Sequence, residues 1–400
     1  MTERYLFLTT FLLLFASQLK AQINVDDTLQ YQNLDRRYVV HLPPAYDPGQ
    51  STSLVIVLHG GSGSADNVQG FTRMNQVSNE HNFLVVYPQG YAPTAIGGFS
   101  WADGRGTPAD DMNIDDIGFI DKMIDELILD YPINQDKIYI SGFSNGGFMT
   151  QRLACEMNDR FAAMASLGST QDEILSANCR PERPIPMIII IGTDDPSVPY
   201  NGGPMENIEP DVISASGLLS FWSTNNDCQT ELSSINLPDI NTTDNSTVTV
   251  FEFTNCECEA NVKHYRINGG GHTWPGVEIE SLEASAGETN EDINAGQELW
   301  GFFNQYDLCN KTVTSIEETG RINDWHVYPN PTSDMIIIQS NKVIYNLQLL
   351  DLSGNLIEKT SPNSMRYEYA LGHLAAGTYI LKIGTGDDNG TGSFDRIVKR

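Results

Sequence analysis

Residues 138–149 read Ile-Tyr-Ile-Ser-Gly-Phe-Ser-Asn-Gly-Gly-Phe-Met. A β-branched apolar run stops at Ser144, boxed in by Gly142 and Gly146, and a helix-compatible segment follows over 145–158. Strand, Gly-x-Ser-x-Gly and helix, in that order, form the setting of a nucleophile elbow, a strained turn that lifts a serine hydroxyl above a sheet. The two glycines let the chain turn tightly and let strand and helix approach each other. The pentapeptide alone is a weak signal, so its surroundings decide.

Outward from this point, short apolar runs alternate with helix-like segments. The stretches 39–43, 54–60, 83–90, 137–144, 162–169, 187–193 and 262–269 read as strands. Several are apolar on nearly every residue, as strands covered on both faces are. Residues 115–131 carry Ile117, Ile120, Met123, Ile124, Leu127 and Leu129 at helical spacing, with Asp115 and Asp116 suited to the N-cap and the helix dipole. This accounts for the acidic run 110–116 better than a calcium loop, which lacks its glycine spacing here. Residues 212–225 are a further helix candidate. Alternation of this kind predicts an α/β fold with a mostly parallel sheet and helices on both faces.

A nucleophilic serine needs a base and a carboxylate that orients the base. In a strand–elbow–helix fold they follow in the order Ser, Asp or Glu, His. The apolar strand at 187–191 ends in Gly-Thr-Asp-Asp, so Asp194 and Asp195 both stand at a strand's carboxyl end. His272 lies in Gly-Gly-Gly-His-Thr-Trp-Pro-Gly, directly past the strand 262–267, while His264 falls inside that strand and His326 and His373 lie near the C-terminus. A buried strand also ends in His59-Gly60-Gly61. Its backbone amides suit an oxyanion hole, so the N–H groups of Gly61 and Asn145 are the expected donors.

Composition bounds the function classes. Across 400 residues, 23 Lys and Arg face 52 Asp and Glu, a formal charge of -29 that disfavours nucleic acid and anionic lipid surfaces as partners. Hydrophobic residues at 40% and aromatics at 9% suffice for a true core. The N-terminus, with Arg4, an apolar run from Tyr5 to Ala16 and a small residue at Ala21, has the layout of a signal peptide over 1–21. The run is shorter than the ~20 residues of a membrane-spanning helix, and no other segment is apolar enough to span, so export of a mature chain without a span is expected. Six cysteines suit an oxidising compartment. Cys256 and Cys258 stand too close to bridge each other comfortably, which directs them to Cys228 and Cys309 and leaves Cys155 with Cys179. A cysteine-rich zinc site is disfavoured, because no paired Cys-x-x-C or adjacent histidine pair is present, and no metal is expected.

The pattern changes after Cys309. Residues 309–326 are polar and read as a linker between a domain over 22–308 and one over 327–400. The latter opens Tyr-Pro-Asn-Pro and continues in short strands (335–340, 345–354, 365–371, 377–384, 394–400), which predicts a small all-β sandwich. Its opening, the stretch Leu-Ala-Ala-Gly-Thr-Tyr-Ile-Leu-Lys-Ile and the basic end Val-Lys-Arg resemble the type A C-terminal sorting domain of type IX secretion. That resemblance implies the type IX machinery as a partner and a secreted or surface-attached destination.

Residues 58–67, 141–156, 190–203 and 267–276 resemble the secreted polyhydroxybutyrate depolymerase and feruloyl esterase family, an α/β-hydrolase group that includes acetylxylan esterases. The resemblance runs from about Leu34 to Tyr306. It implies Asp195 as the acid, two residues after Thr193, where local spacing leaves Asp194 and Asp195 equal. It also favours the Cys155–Cys179 pair. The family strand usually reads Ile-His-Gly-Thr; here Ile191 stands in the histidine position. The implied function is a secreted serine carboxylic ester hydrolase without metal or organic cofactor. Its expected substrates are feruloyl or acetyl esters on plant polysaccharide, or a polyhydroxybutyrate-type polyester. Trp101 and Trp274 are expected to wall the substrate pocket. Rival readings are a peptidase of the same fold, or a catalytically silent surface adhesin, which a complete Ser–Asp–His set disfavours.

Overall fold

The computed structural model describes residues 23–205, 208–229, 232–277, 285–309, 325–328, 332, 334–350, 356–375, 377–385 and 393–399. The expected signal peptide and most of the expected linker lie outside the described residues. The chain divides into two compact units, Met1–Lys311 and Thr312–Arg400.

The first unit is built on strands β1 (Ile23–Tyr31), β2 (Leu34–Leu42), β3 (Thr52–Leu58), β4 (Leu84–Pro88), β5 (Ala92–Pro93), β6 (Phe99–Ser100), β7 (Ile133–Phe143), β8 (Ala163–Leu167), β9 (Met187–Gly192), β10 (Gly203–Met205), β11 (Ile208–Val212), β12 (Ser233–Asn236), β13 (Thr247–Phe253) and β14 (Val262–Asn268). Ten of them form one sheet in the order β1-β2-β4-β3-β7-β8-β9-β14-β13-β12. The run from β4 to β14 is parallel; β2 and β13 join its two ends antiparallel, and β1 and β12 pair antiparallel with these in turn.

Side-chain alternation explains why the central strands are apolar throughout. Leu54, Ile56 and Leu58 of β3 pack on one face with Met187, Ile189 and Ile191 of β9. Val55 and Val57 pack on the other with Ile188 and Ile190. Helices α3 (Asp116–Asp130), α4 (Asn145–Glu156) and α6 (Ala215–Asn225) cover the first face. Helices α1 (Ala65–Thr72), α2 (Met74–His81) and α7 (Ala295–Phe303) cover the second, while the short α5 (Glu173–Asn178) carries no buried residue. Ile191, the residue at the family's histidine position, is core and only 1% exposed.

Asp115 caps α3, its side chain accepting from the Gly118 N–H at 2.9 Å. Asp116 does something else: it is buried, pairs with Arg36 of β2, and accepts the Ala102 N–H at 2.8 Å. Two polar strand regions, β1 and β12, form the sheet edges, and neither carries the apolar signature on which the parallel core stands out.

Disulfides join Cys155 to Cys179, Cys228 to Cys256, and Cys258 to Cys309. The first ties α4 to the end of α5. The other two staple the β13–β14 connection to the segment after α6 and to that after α7. Closing loops of 24, 28 and 51 residues restricts the unfolded chain, each by about 3–4 kcal/mol in a chain-entropy estimate.

The second unit is all β, with β15 (Trp325–Tyr328), β16 (Met335–Leu350), β17 (Leu356–Thr360), β18 (Ser364–Ala370), β19 (Gly377–Thr385) and β20 (Ser393–Lys399). The sequence suggests a break between 340 and 345, but one strand runs through it. The first part of β16 pairs with β15 and β18, and its later part with β17 and β19. Ile336, Ile338, Leu347, Leu349, Leu381 and Ile383 form this unit's own core.

Candidate active site

Because β3, β7, β8, β9 and β14 run parallel as neighbours, the loops past their carboxyl ends meet on one rim, the usual ligand position in open α/β sheets. The central feature is Ser144, between β7 and α4, with φ 54° and ψ -121°. A non-glycine residue there costs about 1–3 kcal/mol, and surrounding structure must hold it. Ser144 N–H donates to the Leu167 carbonyl at 2.9 Å, and its own carbonyl accepts from Phe148 N–H at 2.9 Å. A Cβ on Gly142 would fall inside the Gly146 carbonyl, and one on Gly146 would stand 2.5 Å from the His59 carbonyl oxygen. Both glycines are therefore required by close backbone approach.

The carboxylate and imidazole expected downstream come together. His272 Nδ1 lies 2.7 Å from Asp195 Oδ2, and the carboxylate side chain is fully buried while the imidazole keeps 12% exposure. The other oxygen, Asp195 Oδ1, accepts the N–H groups of Ser197 and Val198, each at 2.8 Å. Asp194 instead is paired with its neighbour, accepting the Thr193 hydroxyl at 2.9 Å. Since β9 and β14 are adjacent and parallel, their following loops interlock, with Asp194 N–H donating to the Gly270 carbonyl at 3.0 Å. Gly168, at φ +55° past β8, leaves room for the ring, since a Cβ there would stand 3.1 Å from His272 Cε1. His272 and Ser144 line one cavity of about 520 Å³ together with Gly61 and Phe143. Ser144, Gly61 and Asn145 line a second, of about 420 Å³.

The His59–Gly63 loop after β3 is held by the histidine. His59 Nδ1 donates to the Gly60 carbonyl at 2.8 Å, and Nε2 accepts the Gly90 N–H at 2.9 Å. Burial drives its pKa down to about 4, so the ring stays neutral and keeps both roles. Asn145 is the first residue of α4, whose N–H has no intrahelical acceptor and sits at the positive helix end. Its side chain is pinned: Oδ1 accepts Trp101 N–H at 2.8 Å, and Nδ2 donates to the Trp101 carbonyl at 3.1 Å and to Asp103 Oδ2 at 2.5 Å.

Trp101 and Trp274 do not wall the pocket. Both indoles are fully buried, and neither lines the two cavities at Ser144. Trp101 Nε1 donates to the His59 carbonyl at 3.0 Å, so the ring braces the glycine loop from behind. Trp274 packs behind Phe143 and Phe71, at 6.5 and 6.1 Å between centroids, and Phe143 in turn meets His272 at 4.8 Å. The elbow and base loops bury the large apolar surface that the sequence offered as a pocket wall. Conversely, Asp103, Arg105 and Ser197 stand at the site without having been singled out in the sequence. Asp103 and Arg105 sit in the polar, glycine-rich stretch Asp-Gly-Arg-Gly, where nothing local distinguishes a buried pair from a solvated turn. Among the described residues no cluster of three or more metal-ligating side chains occurs, and no helix is long and apolar enough to cross a membrane.

His264, in β14, is also driven down to about 4, chiefly by burial. Its Nδ1 donates to the Ile189 carbonyl at 3.2 Å, and Tyr200 O–H donates to Nε2 at 3.0 Å. Both histidines have folded pKa values below the ordinary imidazole value of 6.5. The unfolded chain therefore binds more protons between pH 6.5 and 4, and folding stability falls across that window and levels below it. Each site contributes up to about 3 kcal/mol. His264→Gln keeps a donor and an acceptor but does not titrate. The wild-type advantage over this variant in denaturant unfolding is expected to shrink by about 3 kcal/mol from pH 7 to pH 4; a pH-independent difference contradicts the assignment.

Residues 47–209 match the phospholipase/carboxylesterase family, and residues 326–398 match the secretion system C-terminal sorting domain. Among similar proteins, one of Nocardia uniformis subsp. tsuyamanensis that bears the name esterase NocK is 28% identical over 65% of this chain and 76% of its own. Feruloyl esterase B of Piromyces equi is 27% identical over 59% of this chain and 42% of its own. The bifunctional acetylxylan esterase/xylanase XynS20E of Neocallimastix patriciarum is 24% identical over 64% and 34%. The chain thus spans less than half the length of these last two relatives. The solved acetyl xylan esterase of Aspergillus awamori aligns at TM-score 0.45 and 14% identity over 71% of this chain and 99% of that one. The chain carries a carboxylesterase-type α/β-hydrolase domain and a C-terminal sorting domain for type IX export, with a secreted or surface-attached destination.

Proposed function

We propose that this α/β-hydrolase esterase cleaves carboxylic esters through Ser144, His272 and Asp195, by way of an acyl-enzyme. The observation that carries the proposal is the strained backbone of Ser144 beside a cavity that also holds His272, itself hydrogen-bonded to buried Asp195. His272 Nε2 takes the Ser144 proton as Oγ attacks the ester carbonyl. The N–H groups of Gly61 and Asn145 hold the resulting oxyanion; a donor of this kind is worth about 10²–10³ in kcat. The alcohol leaves with the proton from His272, and water, deprotonated by the same imidazole, releases the acid. Asp195 fixes the Nδ1–H tautomer and stabilises the transient imidazolium. The reaction calls for neither metal nor organic cofactor.

The names of the relatives, feruloyl and acetylxylan esterases, together with export, favour esters on extracellular polymers: plant polysaccharide esters first, a polyhydroxybutyrate-type polyester second. The domain over 327–400 meets the type IX machinery, following a linker at 309–326 and a catalytic domain at 22–308. The test is hydrolysis by the full mature chain of 4-nitrophenyl acetate, methyl ferulate, acetylated xylan and a polyhydroxybutyrate suspension. Turnover of the soluble esters and of one polymer is expected. A folded protein that turns over none of them is an adhesin with an idle triad.

A further inference from the structure

We propose that Arg105 makes the second cavity selective for substrates that carry a carboxylate beyond the scissile ester; this rests on the ester-hydrolase function proposed above. The cavity of about 420 Å³ begins at Ser144 and Asn145 and is walled largely by apolar side chains, among them Phe148, Val198 and Met205. One cation stands in that apolar wall. Arg105 is only 4% exposed, and a buried guanidinium is retained only where its charge and donors are matched.

The matching covers one side of it. Nε and Nη2 donate to Asp103 Oδ2 at 3.0 and 2.6 Å. The flat face lies over the Phe148 ring, 3.6 Å from its centroid. On the remaining edge, Nη1 meets the Met205 thioether at 3.5 Å, a weak acceptor, and among the described residues no oxygen serves it. The guanidinium thus offers its Nη1–Nη2 edge to the cavity while Asp103 fixes its plane. A planar, pre-oriented fork of two donors is the geometry that takes a carboxylate with two parallel hydrogen bonds. Asp103 also receives the Asn145 side-chain amide, so the ion pair is built into the same frame that aims the oxyanion donor.

The carboxylate has two possible sources, the acyl part of a dicarboxylic half-ester or the alcohol part, as in a uronic acid. Two sets of probes separate them at pH 7. The first compares 4-nitrophenyl half-esters of adipic, pimelic and suberic acids with 4-nitrophenyl hexanoate, heptanoate and octanoate. The second compares 4-acetoxybenzoate with 4-tolyl acetate. The quantity read is the ratio of kcat/KM, anionic over neutral. In one set the wild type is expected to favour the anionic ester at least tenfold, and Arg105→Met is expected to bring the ratio to one or below, with Arg105→Lys between. Since the ratio is taken within each variant, a general loss of activity does not affect it, and Arg105→Lys decides alone if the methionine variant fails to fold. A wild-type ratio of one or less in both sets overturns the selectivity while leaving ester hydrolysis intact, as does a ratio unchanged in the variants. Inactivity on every neutral ester defeats the proposed function itself, and the selectivity with it.

Discussion

Ser144→Ala is expected to lower kcat on 4-nitrophenyl acetate by about 10⁴–10⁶-fold while leaving the fold unchanged. The size follows from loss of the covalent route: without the hydroxyl, only the oxyanion donors and the binding cavity act on the attacking water, and such remnants account for about 10³–10⁴ over the uncatalysed rate. The fold should not suffer. Alanine adopts φ 54° no more easily than serine, and the Ser144 backbone bonds to Leu167 and Phe148 remain available. Equal denaturation midpoints for variant and wild type, alongside the lost rate, are the expected pair of results. A variant that keeps more than a few per cent of its activity means that another group performs the attack.

The second large effect separates two adjacent carboxylates. Asp195→Asn is expected to cost about 10⁴-fold in kcat, because an amide at that place turns the imidazole to the wrong tautomer and offers no charge to the imidazolium. Asp194→Asn is expected to stay within about threefold of wild type, as a surface change usually does. The exposed Asp194 side chain accepts from the neighbouring Thr193 hydroxyl, while Asp195 holds His272 at 2.7 Å and is itself locked by two backbone N–H groups. Steady-state kinetics on both variants decide the matter, and comparable losses in the two contradict the assignment.

That pair also marks how far the sequence could be read. Side-chain chemistry and order, Ser144 then an aspartate then His272, are legible because the elbow, the strand ends and the glycine loops each leave a local signature. Which aspartate turns inward is set by the interlock of the β9 and β14 loops, a contact between residues 77 positions apart, and no local pattern records it. The central strands are legible because burial on both faces demands unbroken apolar runs, as at 54–58 and 187–192. The edge strands at 23–31 and 233–236 are polar and mostly exposed, so the same rule passes over them. Trp101 and Trp274 misled because a large aromatic near catalytic residues serves equally well as a wall or as a brace. Burial alone tells the two apart.

The most direct test of the Ser144 nucleophile is covalent capture. The folded mature chain is incubated with a fluorophosphonate, digested with trypsin, and the peptide Ile138–Arg152 is sequenced by fragmentation, since it holds both Ser141 and Ser144. A single adduct on Ser144, formed in the wild type and abolished when His272 is replaced by alanine, is the expected result. No adduct on a folded protein, or an adduct at any other serine, would contradict the central claim.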